Sequence, residues 1–237
     1  MPFSKKMIPF LQKNKEKNDR EWYNGHKDLF KKYVQEPFYA LVDELTPCLN
    51  GIDPEIVTIP RYCLCHVYRD TRFTKDKSTL YRDNMWLTFK RSSKKWTESP
   101  CFYFEVLPDS FRYGMGYYSA TSKTMQLYRK YISLYPESFG EALRPIQDLY
   151  LDTEYYKKKF RESYPEEFTS WFMAKNIHVT VLRTDMESLY STNLAKEISD
   201  VFLQAAPLYK LLLNLRNMPE LLDSPLIVPE NKVEFEW

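Results

Sequence analysis

Three runs decide the fold: Asn84-Met-Trp-Leu-Thr-Phe-Lys90, Cys101-Phe-Tyr-Phe-Glu-Val-Leu107 and Arg112-Tyr-Gly-Met-Gly-Tyr-Tyr118. In each, large apolar side chains recur at every second position: Met85, Leu87 and Phe89, then Phe102, Phe104 and Val106, then Tyr113, Met115 and Tyr117. That is the period of a strand with one buried face. Pro108-Asp109-Ser110 supplies a tight turn between the last two runs. Consecutive strands with short links predict an antiparallel meander. Residues 58–68, just upstream, also alternate and are expected to form a further strand, with Pro60 placing its start near a sheet edge.

Outward from this block the period lengthens. Asn18-Asp19 ahead of Arg20-Glu21-Trp22 reads as a helix start with a cap oxygen before the first turn. Trp22, Tyr23, His26, Phe30, Tyr33 and Val34 then follow at helical spacing. Pro37 kinks this helix or opens a second one, whose buried stripe is Phe38, Leu41, Val42 and Leu45 and which ends at Asn50-Gly51. Beyond the strands, helices are expected at 121–135, at 136–148 and after Pro165. A late strand is expected at 177–183. Leu194, Ile198, Val201, Phe202 and Ala205 mark a final amphipathic helix, with Pro207 restarting a last stretch. The expected architecture is a single α+β domain spanning 1–237, a mostly antiparallel sheet with helices packed around it. Its core covers about 5–215, and 219–237 forms a C-terminal arm.

Composition narrows the function classes. The 237 residues hold 34 Lys and Arg against 32 Asp and Glu, a net charge of +2, so any anion preference has to come from a local patch. With 5 Gly and 39 aromatic residues (19 Tyr, 15 Phe, 5 Trp), the chain has little material for glycine-built phosphate loops. P-loop, dinucleotide, nucleophile-elbow and zincin motifs are absent from the sequence, and no cofactor is implied. No secretory leader or run of 18 apolar residues is read, so the expectation is a cytoplasmic protein with no membrane partner, its four Cys reduced.

One segment stands out chemically. Between 61 and 82 fall Arg61, His66, Arg69, Asp70, Arg72, Lys75, Asp76, Lys77, Tyr81 and Arg82. Arg69 and Arg72 can grip one oxyanion through planar forks, Lys75 and Lys77 add point charges, and Tyr81 adds a phenolic donor. Asp70 is read as an orienter of arginine or as a proton acceptor. The opposing reading is a solvated loop whose arginines pair with Asp70 and Asp76, and composition alone favours it.

The string Arg69-Asp70-Thr71-Arg72-Phe73, with Lys77 and Tyr81, resembles the signature of the DUF2461 family, bacterial and fungal proteins of unassigned function. Asn18-Asp19-Arg20-Glu21-Trp22-Tyr23 resembles that family's N-terminal block. Gly114-Met-Gly116-Tyr-Tyr118, followed by a helix bearing Arg129, resembles its glycine strand and arginine helix. The family pattern opens with an arginine three residues ahead of the Arg-Asp pair, where this chain has His66. The resemblance implies a ligand site around Arg69, Asp70, Arg72, Lys77 and Tyr81.

Glu105 alternates with Phe102, Phe104 and Val106, and its expected partner, if buried, is an arginine from 69–72. Gly114 and Gly116 either admit a close approach to the backbone or mark a bulge. Cys63-Leu-Cys65-His66 has no second ligand pair for a zinc site and reads as core. The lysine runs 13–17 and 157–159 read as solvated surface. Three functions follow. The first is binding of a small phosphate- or carboxylate-bearing anion by Arg69, Arg72, Lys77 and His66, with acid/base chemistry by Asp70 or Tyr81 if there is turnover. The second, disfavoured by the balanced charge, is nucleic-acid binding. The third is a structural domain in which this segment is a buried ion-pair network.

Overall fold

The computed structural model describes residues 3–72, 75–157, 160 and 163–225. Phe73, Lys158, Lys159 and the arm beyond Pro225 lie outside them.

The helical N-terminal part begins earlier than its caps suggested. Helix α1 (Met7–Lys17) is closed by Asn18 in the left-handed region, φ 49°, which asparagine tolerates better than most residues. Asp19 then caps α2 (Arg20–Gly25), its side chain accepting from the Trp22 amide at 2.6 Å. Helix α3 (Lys27–Phe30) runs through a π turn into α4 (Glu36–Ile52), where Pro37 sits in the first turn, a position that needs no amide donor. The stripe Phe38, Leu41, Val42 and Leu45 is buried, as expected.

Residues 58–68 do not form a strand. Pro60 opens a short helix, α5 (Pro60–Cys63), and the chain beyond it makes only isolated antiparallel bridges, Leu64 with Leu87 and Tyr68 with Tyr81. Proline at a first helical position is as favourable as at a strand edge. The buried residues here, Cys63 and Val67, are four apart rather than two.

The three runs of the sequence block form β1 (Met85–Phe89), β2 (Pro100–Val106) and β3 (Phe111–Tyr117). After them come α6 (Ser122–Leu134), α7 (Pro136–Leu143), the two-residue β4 (Tyr150–Leu151), α8 (Thr169–Met173), β5 (His178–Arg183), α9 (Met186–Leu189) and α10 (Leu194–Leu215). The strands make a five-stranded antiparallel sheet in the order β1-β2-β3-β5-β4, with helices packed around it: an α+β fold. Met85 pairs with Val106, Leu87 with Phe104 and Phe89 with Phe102, so the apolar sets of β1 and β2 share one face. Helix α10 continues through Pro207 instead of restarting there. An interior proline costs about 3 kcal/mol. Ile198, Phe202, Ala205, Leu208 and Tyr209, all at 0% exposure, offset it by burial.

The chain divides into two compact units, one of residues 1–94, 101–115 and 180–203, the other of 95–100, 116–179 and 204 onward. In the first, Phe104 packs against Phe3 and Phe38, and Phe202 of α10 covers Phe89 and Phe102. In the second, Phe139 is the hub, meeting the rings of Tyr128, Phe168 and Trp171. Gly116 belongs to the second unit and admits a close approach there. A Cβ at this position would collide with the Ile177 carbonyl oxygen and stand 2.7 Å from the His178 Cα, so what comes near this glycine is the backbone of β5.

Candidate functional site

The charged segment lies in the first unit. Its two ends are zipped: the Arg69 amide donates to the Leu80 carbonyl (2.8 Å) and the Arg82 amide to the Val67 carbonyl (3.0 Å). The loop between them is folded on its own aspartates. Asp70 accepts from the Arg72 amide, from Nε (2.9 Å) and from Nη2 (2.8 Å), a turn closed by a two-point charged contact. Asp76 accepts from the Ser78 amide and hydroxyl, the Thr79 hydroxyl and Arg69 Nη1. The Arg72 bonds hold the Asp70 carboxyl down at about 2, and the Ser78 and Thr79 bonds lower that of Asp76 as well. The arginine–aspartate pairs expected of a solvated loop therefore form, and at the surface: the side chains of Arg72 and Asp70 are 78% and 44% exposed. Exposed pairs are screened by water and contribute little net stability, so they shape the loop more than they stabilise the domain. That exposure speaks against a buried ion pair at Arg72 and Asp70, whereas Arg69, paired with Asp76, is 26% exposed.

The loop is fastened to the helices by Asn18, which the sequence marked only as part of a helix start. Asn18 donates from Nδ2 to the Ser78 carbonyl (2.7 Å) and accepts the Leu80 amide at Oδ1 (2.7 Å), so one amide pairs with the backbone as a neighbouring strand would. One turn back on α1, Lys15 bonds Asp83 at 2.7 Å. Behind the loop, Tyr81 is fully buried, its ring 5.2 Å from Tyr23 and 5.0 Å from Tyr68. Burial, then the Tyr68 and Tyr23 phenols, raise its pKa. The N-terminal block thus meets the two flanks of the loop that carries the Arg-Asp-x-Arg string, through Asn18 at Ser78 and Leu80 and through Tyr23 at Tyr68 and Tyr81. The sequence signal for this was an asparagine directly after a lysine-rich helical run, a helix-end signature.

The remaining candidates separate. Lys77 and His66 are exposed, with no side-chain hydrogen bond to another described residue. Arg61 lies on the ring of its neighbour Tyr62. Arg82 stacks over Trp86, its carbon 4.7 Å from the ring centre, and donates to the Tyr68 carbonyl. Glu105 does not meet an arginine of 69–72. It accepts from Asn84 Nδ2 and from Arg112 Nε, both at 2.7 Å, because the β2–β3 hairpin brings Arg112 across from it.

Arg129 lies in the second unit. It is buried in α6 and donates to the Met125, Phe172 and Ala174 carbonyls, with the rings of Tyr156 and Phe160 against its guanidinium. Its bonds hold the chain around α8, a structural clamp.

Burial pushes the thiols of Cys63, Cys65 and Cys101 up to about 12. Among the described residues no group of three His, Cys, Asp or Glu is arranged to hold a metal ion. No described helix is long and apolar enough to cross a membrane.

An α+β chain that presents a basic loop clamped to its N-terminal helices is the class these features define. The chain belongs to the DUF2461 family, described as conserved hypothetical protein, whose sequence model matches residues 6–211. No curated protein and no solved structure matches it.

Proposed function

We propose that the loop within residues 61–82 is a binding surface for a small phosphate- or carboxylate-bearing anion. The observation that carries this is local charge. Six Lys and Arg face only Asp70 and Asp76 between these positions, an excess of four in a chain whose total is +2. Two features support it. Lys75, Lys77 and His66 stand exposed without a hydrogen-bonding partner among the described residues. Asp70 and Asp76 hold the Arg72 and Arg69 side chains in place before any ligand arrives, which lowers the cost of ordering them on binding. In this reading Arg69, Arg72, Lys77 and His66 contact the anion, Asp70 orients Arg72, and Tyr81 props the loop from beneath. A carboxyl held at about 2 is a weak base at neutral pH, so the function assigned is recognition rather than turnover. A thermal-shift screen of phosphorylated and carboxylated metabolites tests it. A ligand at a hundred times its Kd stabilises by about 2.7 kcal/mol, and this gain is expected to vanish in the Arg69→Ala/Arg72→Ala double variant. Equal shifts in both proteins for every stabilising anion would sink the proposal.

One observation favours a second reading, nucleic-acid binding. Tyr62 and Tyr68 are 58% and 42% exposed within the same basic segment, as aromatics that stack on bases are. Its signature is affinity that falls steeply with salt, and no binding at low ionic strength would remove it.

A further inference from the structure

A cavity of about 210 Å³ lies wholly in the second unit. Its wall is built by the turn before β2, the end of β3, the first turn of α6 and the end of α10. Two kinds of surface face it. Leu127, Leu212 and Leu213 are apolar, whereas Glu98, Lys123 and Arg216 bring one negative and two positive charges. None of these three charged side chains forms a hydrogen bond or an ion pair with another described residue. Arg216 is felt at the cavity wall, because it opposes the burial that raises the Tyr117 phenol. The wall is also fixed: the Tyr117 hydroxyl donates to the Leu212 carbonyl at 2.9 Å, tying β3 to α10, and the Thr121 and Thr124 hydroxyls bond each other at 2.8 Å.

Charges of both signs, paired with no described side chain and set around a hollow that is half apolar and half polar, match a ligand that carries both charges itself. A ligand with a lone carboxylate would leave Glu98 repelling it, and one with a lone amine would face two cations. The volume is below the roughly 300 Å³ at which sites for drug-sized ligands begin, so the ligand is small. We infer that this cavity binds a small zwitterion, a free aliphatic α-amino acid. Its carboxylate lies toward Lys123 and Arg216, its ammonium toward Glu98, and its side chain on Leu127, Leu212 and Leu213. The inference is independent of the basic loop, which belongs to the other unit.

Isothermal titration of the full chain with L-leucine tests it, alongside 4-methylpentanoate and 3-methylbutylamine, which each keep one charge and the branched tail. Leucine is expected to bind saturably, and each single-charge analogue about tenfold or more weakly. Arg216→Ala and Glu98→Gln, both near the surface and expected to melt as the wild type does, should each weaken leucine binding about tenfold. Arg69→Ala should leave it unchanged. Three results would overturn the inference: no saturable heat with leucine at millimolar concentration, equal affinity for leucine and 4-methylpentanoate, or unchanged leucine binding in both cavity variants.

Discussion

Replacing Asn18 should loosen the basic loop and destabilise the protein by an amount that divides into two separable parts. The Asn18 amide makes two hydrogen bonds to backbone groups of the loop, and its φ of 49° is left-handed. Each bond is worth about 1 kcal/mol net, more where the abandoned backbone group stays shielded from water. An alanine in the left-handed region costs about 1 kcal/mol further. Asn18→Ala should therefore lose about 3 kcal/mol, which for a chain of this length lowers Tm by roughly 6–12 °C. Asn18→Gly removes the amide but relieves the dihedral, and should recover about 1 kcal/mol of that loss. Asn18→Asp keeps the acceptor for the Leu80 amide and loses the donor to Ser78. Thermal melts rank the three, and hydrogen exchange at the Leu80 amide assigns the cause. Exchange there should accelerate in the Ala and Gly variants and stay slow in the Asp variant. Unchanged Leu80 protection in Asn18→Gly, or a loss below about 0.5 kcal/mol in Asn18→Ala, would refute the clamp.

Three further outcomes follow from the geometry. The Asp70 and Asp76 carboxyls are lowered on folding, so their contribution is complete above about pH 4, the ordinary carboxylate range, and fades as pH falls toward 2. Melting temperatures of wild type and Asp76→Asn should differ at pH 7, and the gap should start to close below about pH 4 and vanish only at the acid extreme, as pH falls through the lowered Asp76 value; a pH-independent gap would contradict the loop geometry. The native thiols should react sluggishly with a disulfide reagent at pH 8, because Cys63, Cys65 and Cys101 are held up at about 12; rapid labelling of Cys65 in folded protein would argue against its burial. Arg129→Ala should cost about 3–5 kcal/mol by abandoning buried carbonyls. Arg129→Lys should rescue only part of this, since a single ammonium cannot reproduce the fork, and full rescue by lysine would show that charge alone matters there.

The sheet was legible because β1 and the second half of β2 bury one face more deeply than the other, while β3, buried along nearly its whole length, still alternates large residues with Gly114 and Gly116. The same alternation misled at 58–68, where proline and turn geometry give a similar pattern without a ladder. Helix α1 was hidden because its lysines dilute an apolar face of Met7, Ile8, Phe10 and Leu11 that still repeats at helical spacing. Pro207 reads as a break only when the burial around it is unknown. The grouping of Arg69, Asp70 and Arg72 could be read locally, since Arg72 pairs two residues back with Asp70 and Arg69 seven residues on with Asp76. The partners of Glu105 and the role of Asn18 could not, because a hairpin register and a sixty-residue separation decide them.

The central claim is that an anion engages Arg69 and Arg72 while Asp76 and Asp70 still hold them in place. The most direct measurement is an NMR titration that follows the arginine Nε–H signals while inorganic phosphate is added at fixed ionic strength. Binding at the loop predicts saturable shifts of the Arg69 and Arg72 signals, absent at the clamped Arg129 and reduced by added chloride. Shifts spread evenly over all exposed arginines, or none at Arg69 and Arg72, would contradict it.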